Sequence, residues 1–145
     1  MKLVFPFQKI TTNFFGGVFR PYAKIAVYDK RHKNWLERIM LVDSGADYTL
    51  FPRKDAAFFG IDIANECVAQ TTFGVGGAET VYLYKKLKIK LKDQEMTIPV
   101  GFLDRNDIPA LLGRQKFLEL LTVLLKDHIT TLELQKRNNS PHPNR

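Results

Sequence analysis

The sequence is constrained most by an apolar run that ends in an Asp-Ser-Gly turn. The run covers residues 39–42, and the turn consists of Asp43, Ser44 and Gly45. A continuous apolar run bounded by turn residues predicts a buried strand. Glycine reaches backbone conformations that other residues adopt only at a cost, and Ser44 and Asp47 can hydrogen-bond the nearby backbone. The stretch therefore predicts a carboxylate, Asp43, at the tip of a turn that a buried strand supports.

Alternating apolar and polar residues predict strands over most of the chain. Turns rich in polar residues or glycine separate these strands, so the pattern indicates an all-β fold. Pro99 restricts its strand to a sheet edge or a bulge. The predicted elements are a first strand and loop in residues 1–17, a short strand that leaves the Asp43 turn, strands at 18–28, 35–42, 67–73, 80–91, 95–103, 108–113, 122–125 and 128–134, and short helices at 52–59 and 114–121.

The length of 145 residues corresponds most simply to one domain. We expect this domain to cover residues 1–135 and a disordered polar tail to cover residues 136–145. The apolar runs fall far short of the roughly 20 residues that a membrane-spanning helix needs, and the first residues lack the pattern of a signal peptide. The single cysteine, Cys67, excludes an internal disulfide. A cytoplasmic protein without a membrane partner is therefore predicted.

The net charge of +7 raises the question of an anionic partner such as nucleic acid. The basic residues are spread along the chain, and their densest groups lie at 30–33, at 85–88 and at the C-terminus. This spacing is typical of hairpin tips and solvated strand faces, so a nucleic-acid partner is not favoured. The histidines and the cysteine lack the spacing of a metal site. We expect neither a metal nor a cofactor.

A glycine-rich segment, Gly74-Val75-Gly76-Gly77, separates two predicted strands. One or two glycines would simply make the turn of a hairpin, whereas three within four residues indicate a mobile lid. A phosphate-binding loop is disfavoured, because no helix N-terminus with Lys-Ser or Lys-Thr follows.

Two motifs together resemble the signature of the retroviral-type aspartic proteases, the retropepsins. Residues 41–47, Leu-Val-Asp-Ser-Gly-Ala-Asp, are similar to the family's hydrophobic residues followed by Asp-Thr/Ser-Gly-Ala. Residues 108–118 resemble its second block, in which two hydrophobic residues and Gly-Arg precede a helix. The glycine-rich segment lies between the two motifs, as the retropepsin flap does. The resemblance covers roughly residues 18–134.

This resemblance implies a retropepsin-like closed β-barrel with one or two short helices and an active site at the twofold axis of a homodimer. Hydrolysis by carboxylates alone needs two of them at one site, and the chain carries one such motif, so a second copy must supply the other. The implied site residues are, for catalysis, Asp43, Ser44 and Gly45, for substrate binding, Ala46, Asp47, Gly74, Val75, Gly76 and Gly77, and, for structural support, Leu112, Gly113, Arg114 and Arg20.

Two further details follow from the resemblance. In the family, the arginine at the position of Arg114 pairs with the acid at the position of Asp47. The arginine of an Arg-Pro pair, matched here by Arg20-Pro21, reaches the equivalent acid of the other subunit; an exposed surface arginine is the alternative for Arg20. Ala46 lacks the hydroxyl that pepsin-like enzymes place after the glycine, which removes a hydrogen bond to the ionised carboxylate. A weakly acidic pH optimum is therefore predicted.

The predicted function is that of an aspartic endopeptidase, in which two Asp43 carboxylates activate a water and the peptide substrate binds as an added strand. Two alternatives stay open. A retropepsin-fold module could bind peptides or proteins without hydrolysing them, and its function would survive Asp43→Asn. A basic β-domain could bind nucleic acid, and its affinity would depend steeply on salt.

Overall fold

The computed structural model describes residues 1–134 and shows an all-β fold with few helices. The expected tail, residues 136–145, lies outside these described residues. Within them, the elements in chain order are β1 (Lys2–Pro6), β2 (Gln8–Thr12), β3 (Gly16–Arg20), β4 (Tyr22–Asp29), β5 (Asn34–Val42), β6 (Thr49–Pro52), α1 (Asp55–Phe58), α2 (Ile63–Glu66), β7 (Val68–Gly74), β8 (Gly77–Leu91), β9 (Gln94–Leu103), β10 (Leu111–Leu112), a 3₁₀ helix (Leu118–Leu120), β11 (Leu121–Lys126) and β12 (Ile129–Leu134).

Three sheets organise these strands. The largest has seven strands in the order β4-β5-β10-β6-β9-β8-β7, and an additional pairing of β4 with β8 joins strands from its two sides. A three-stranded sheet has the order β1-β12-β11, and β2 and β3 form a separate hairpin. In the seven-stranded sheet the short β10 lies between β5 and β6, parallel to β5 and antiparallel to β6. This arrangement places the end of β5 deep within the sheet.

The core packs against the inner face of the seven-stranded sheet. Its largest members include three phenylalanines, Phe51, Phe59 and Phe102, whose ring centroids lie 5.0–6.2 Å apart. Each fully buried side chain of this size contributes roughly 1.5–3 kcal/mol to folding. On β5 the buried Met40 and Val42 alternate with more exposed neighbours, as expected for a strand with one face on the core. The core therefore fixes the direction in which β5 delivers residue 43.

The N-terminal region differs from the prediction of one strand and a loop. Residues 1–17 contain β1, β2 and the start of β3, and Phe7 separates the first two strands. The predicted strand at 18–28 is divided between β3 and β4 at Pro21, whose ring fixes φ and which has no N–H to donate. β3 then pairs with β2 (Ile10 opposite Val18), while β4 joins the main sheet. The chain thus gains a short hairpin before the main sheet begins.

The helix predicted at 114–121 is wrong. Residues 114–117 form turns, and only a single 3₁₀ turn, Leu118–Leu120, follows. Lys116 has φ +52°, a left-handed conformation that interrupts a right-handed helix. The predicted helix at 52–59 shrinks to α1, and α2 was not foreseen, although the side chain of Asp62 accepts a hydrogen bond from Ala64 N at 3.1 Å and caps it.

Pro99 does not lie in an edge strand, because β9 is flanked by β6 and β8. It lies opposite an irregularity: the β8–β9 register places Leu87 opposite Ile98 and Tyr84 opposite Val100. At the bulge the strand ladder needs no hydrogen bond from residue 99, which as a proline has no N–H to donate. The strand predicted at 108–113 is shorter than expected and forms only β10. The structure contains no helix, over residues 1–134, with the length and apolarity to cross a membrane.

Candidate active site

Asp43 follows directly on β5 and is held by the neighbouring β10. The two strands run parallel, with Leu41 opposite Leu111 and Val42 opposite Leu112. The ladder extends one residue further, because Asp43 N donates to Leu112 O at 3.0 Å. Backbone hydrogen bonds to a buried strand therefore set the position of this carboxylate.

Residues 43–47, here called the Asp43 turn, are also organised by the aspartate itself. Gly45 N donates to Asp43 Oδ1 at 3.0 Å, and Ala46 N donates to the backbone carbonyl of Asp43 at 3.2 Å. The side chain thus makes the local turn expected of an aspartate before glycine. Asp43 is half-buried, whereas Ser44 and Gly45 are exposed. The carboxylate therefore reaches solvent at a point where the backbone around it is fixed.

Arg114 ties the Asp43 turn to the segment after β10. Its Nη1 donates to Ser44 O at 2.5 Å, and its Nη2 forms an ion pair with the carboxylate of Asp47. Two backbone bonds run alongside: Arg114 N to Ala46 O at 3.0 Å and Gln115 N to Asp47 O at 2.9 Å. The planar guanidinium suits this double contact, which a lysine cannot reproduce. The predicted pairing of Arg114 with Asp47 is present.

Gly113 is the residue that lets these segments approach. A Cβ on Gly113 would lie 2.3 Å from both the carbonyl carbon and the oxygen of Tyr48, so no other residue fits without moving the backbone. Gly113 N donates to the hydroxyl of the fully buried Thr49 at 3.1 Å. The Leu-Gly-Arg motif therefore provides a strand residue, a close approach and a clamp in three consecutive positions.

β7 and β8 form the glycine-rich hairpin predicted from the sequence. Gly74 pairs with Gly77, so Val75 and Gly76 make a two-residue turn at the tip. Gly77 has φ +105°, which glycine adopts without strain. A Cβ on Gly74, Gly76 or Gly77 would meet no atom of residues 1–134 within 4 Å, and Val75 is fully exposed. The tip therefore extends into open space.

A cleft of about 350 Å³ lies between the Asp43 turn and the glycine-rich hairpin. Gly45, Ala46 and Asp47 line one side of it, and residues 70–73 of β7 line the other. The predicted tip residues, 74–77, do not line this cleft. The strand itself was predicted at 67–73, but its place in the cleft was missed because that depends on strand order and register.

These site features coincide with a family match. The aspartyl protease family model matches residues 36–115, from β5 through the hairpin to the segment after β10. This chain belongs to the aspartyl protease family. The crystal structure of a retropepsin-like aspartic protease from Rickettsia conorii has a similar fold, with a TM-score of 0.62 and 17% sequence identity over 91% of this chain and 98% of that one. A comparison with curated proteins found no match. The predicted retropepsin-like family is thus confirmed.

The β8 strand of the hairpin of this aspartyl protease is anchored by an ion pair that the sequence did not reveal. Arg105 Nη1 lies 2.6 Å from Glu79 Oε1 on β8, and its Nε and Nη2 bind both carboxylate oxygens of Asp107 at 2.8 and 2.7 Å. The hydrogen bond from Arg105 lowers the pKa of Asp107 below its usual value of 3.8. Arg53 similarly contacts Asp104 at 2.6 Å. An ion pair therefore holds β8 at Glu79, two residues after Gly77, and over residues 1–134 no ion pair involves residues 74–77.

Arg20 is the predicted site residue that stands apart. It ends β3, is half-buried, and forms no ion pair within residues 1–134. The structure therefore brings residues 43–47 and 112–114 together and leaves Arg20 and the hairpin tip outside that contact. Over the same described residues, histidine, cysteine and acidic side chains do not gather in any group of three or more that could hold a metal ion.

Proposed function

We propose that this aspartyl protease family member is an aspartic endopeptidase that acts as a homodimer, with one Asp43 from each copy at the twofold axis. One observation carries the proposal: Asp43, the single Asp-Ser-Gly carboxylate of the chain, is fixed by Leu112 O and by Gly45 N in a turn whose residues 45–47 line an open cleft. Peptide hydrolysis by carboxylates needs two at one site, so a symmetric pair of chains completes it.

In the proposed reaction the two carboxylates share one proton, since like charges at about 3 Å disfavour double ionisation. The ionised Asp43 accepts a proton from a water as the water oxygen attacks the peptide carbonyl carbon. The protonated one donates its proton to the carbonyl oxygen. The resulting diol then collapses: the C–N bond breaks, the amine leaves with a proton, and the pair returns to its starting state.

The surrounding residues have supporting roles in this proposal. Ser44, which is exposed, braces the pair across the twofold axis, and Gly45 meets the substrate backbone. Ala46 and Asp47 line the cleft, and the tip at 74–77 closes over an extended peptide that adds as a strand along the cleft. In the dimer Arg20 reaches the partner's Asp47, whose carboxylate is 68% exposed and has room for a second donor.

We also propose a domain organisation and a location for the protein. We take residues 1–135 as one domain whose main sheet closes into a barrel through the pairing of β4 with β8. The retropepsin-like name of the Rickettsia conorii protein supports peptide hydrolysis as the activity, and we expect that activity in the cytoplasm.

The decisive experiment compares cleavage of a peptide library by the wild type and by Asp43→Asn, with molecular mass measured by light scattering. We expect a dimer and a loss of activity of about 10³-fold without a change in the melting temperature. When the two proteins are mixed and allowed to exchange subunits, activity should fall as the square of the wild-type fraction. A linear fall would contradict a shared site. Equal cleavage by both proteins would end the proposal, whereas peptide binding by both proteins without cleavage by either would favour a binding module.

A further inference from the structure

A groove separate from the active-site cleft lies between β1 and the outer face of the β4–β5 hairpin. Its main part has a volume of about 500 Å³, and a second part of about 190 Å³ continues it. Phe5 and Lys24 line both parts, so they form one elongated depression along β1. Neither part shares a lining residue with the cleft beside Asp43.

The walls of this groove are apolar. Leu3 and Phe5 contribute from β1, and Ala26 and Trp35 contribute from β4 and β5. Trp35 is half-buried and is the single tryptophan of the chain. A volume of this size with mostly apolar walls and a few charged groups is typical of ligand sites.

The rim of the groove is basic. Lys24, Lys90 and Lys92 line it, against one carboxylate, Glu37, which lies 3.8 Å from Lys24 in a pair exposed to solvent. Lys90 Nζ lies 4.2 Å from the centroid of the Trp35 ring. Among residues 1–134, neither Lys90 nor Lys92 forms an ion pair with a carboxylate. Two ammonium groups are therefore available beside an aromatic floor.

We propose that this depression, here called the lysine groove, binds an acidic, extended peptide segment that also carries aromatic or aliphatic side chains. The charge excess selects an anionic partner, and the apolar walls select one with bulky side chains. The elongated shape favours an extended chain, and β1, which over residues 1–134 pairs only with β12, keeps a second edge to which a strand can add. Residues 135–145 of this chain carry basic and no acidic side chains, so their charge does not match the groove.

This site goes beyond the proposed hydrolysis. It would hold an acidic segment of a protein at a surface that shares no lining residue with the active-site cleft. Its affinity for that segment would not depend on turnover. Binding can therefore be measured on the full chain carrying Asp43→Asn, in which a failure of the catalytic proposal leaves the binding result unaffected.

Trp35 supplies the readout, because as the sole tryptophan it reports directly on occupancy of the lysine groove. The probe is an acetylated hexapeptide, Glu-Phe-Asp-Leu-Glu-Phe, which contains no tryptophan. We expect a saturable change in tryptophan emission when the peptide is titrated into the protein. The Kd for the peptide should rise with salt concentration, because salt screens the lysines. Lys90→Glu/Lys92→Glu should raise Kd about tenfold or more. The matched control, Lys54→Glu/Lys126→Glu, removes the same charge elsewhere and should leave Kd within about twofold.

Three results would overturn the proposal: equal losses of affinity in the two double variants, equal binding of a peptide with Gln and Asn in place of the acids, or displacement of the acidic peptide by an oligothymidylate that binds more tightly. Circular dichroism checks that each variant is folded. If Lys90→Glu/Lys92→Glu does not fold, Lys90→Gln/Lys92→Gln replaces it, with an expected loss in the same direction.

Discussion

Glycine serves opposite purposes in the two regions that enclose the cleft. At Gly113 an added Cβ would lie 2.3 Å from the backbone of Tyr48, whereas at Gly74 and Gly76 it would meet nothing within 4 Å. The first glycine is required by contact, and the others leave the backbone free. The Asp43 carboxylate is therefore held by a tightly packed region around Gly113. The opposite wall of the cleft ends in the hairpin tip, whose glycines have open space around them.

The tips of the β4–β5 and β7–β8 hairpins show the same contrast. The tip of the β4–β5 hairpin is fixed by Asp29, which is 4% exposed and accepts hydrogen bonds from Arg31 N and His32 N at 2.9 and 3.3 Å. A Cβ on Gly60 would lie 2.8 Å from Arg31 N, so α1 ends tightly against this tip. Within the described part of the chain, the tip at 74–77 has no comparable support. A hairpin that ends in Asp43 is thus rigid at both of its ends.

The largest expected effect comes from Gly113→Ala. The added methyl group must displace the backbone of Tyr48, and we expect a loss of unfolding free energy of about 3 kcal/mol. Chemical denaturation measures it. Gly76→Ala is the matched control, because its Cβ enters open space. Equal stability of the two variants would show that the Gly113 contact is relaxed in solution.

Arg114→Lys tests the clamp on the Asp43 turn. A single ammonium cannot contact both Ser44 O and the Asp47 carboxylate, so we expect kcat to fall about tenfold. Because Arg114 is 45% and Asp47 68% exposed, the stability loss should stay near 1 kcal/mol or below. Asp47→Asn and the double variant complete a cycle that isolates the ion pair. An unchanged kcat in Arg114→Lys would mean that the turn keeps its shape without the clamp.

Gly74→Ala/Gly76→Ala should change stability by no more than about 0.5 kcal/mol, since neither residue has a left-handed backbone or a close neighbour. If the tip closes over substrate, however, the stiffer hairpin should lower kcat/KM severalfold. Thermal denaturation and peptide cleavage separate the two quantities. Full activity of the double variant would argue that the tip does not move during turnover.

The smallest effect concerns the rigid tip. Burial alone would raise the pKa of Asp29, but the hydrogen bonds from His32, with Nδ1 at 2.7 Å, and from Arg31 N lower it below the usual 3.8. The stabilisation is therefore present above about pH 4 and is lost as the pH falls through the lowered pKa. Asp29→Asn should lower the melting temperature at neutral pH, and the difference from wild type should shrink below pH 3.8. A difference independent of pH would contradict this linkage.

Much of the fold around the Asp43 turn was predictable, because its signals are local. The apolar run before Asp43, the glycines at 74–77 and the Leu-Gly-Arg motif each specify a short piece of backbone. The failed predictions also have local causes. Pro21 divides the strand predicted at 18–28, although the apolar–polar alternation continues across the proline. The left-handed backbone of Lys116 interrupts the helix that the apolar spacing of residues 114–121 predicts.

The sequence by itself determined the all-β class, the Asp43 turn and the glycine-rich hairpin, since strand alternation and turn chemistry act between near neighbours. Only the tertiary structure decided that residues 70–73 face residues 45–47 across the cleft, that Arg105 anchors β8 at Glu79, and that β1 forms a basic groove with Trp35. Each of these joins residues far apart in the chain. Such contacts depend on strand order and register, and strand alternation is the same for every order in which the strands could pair.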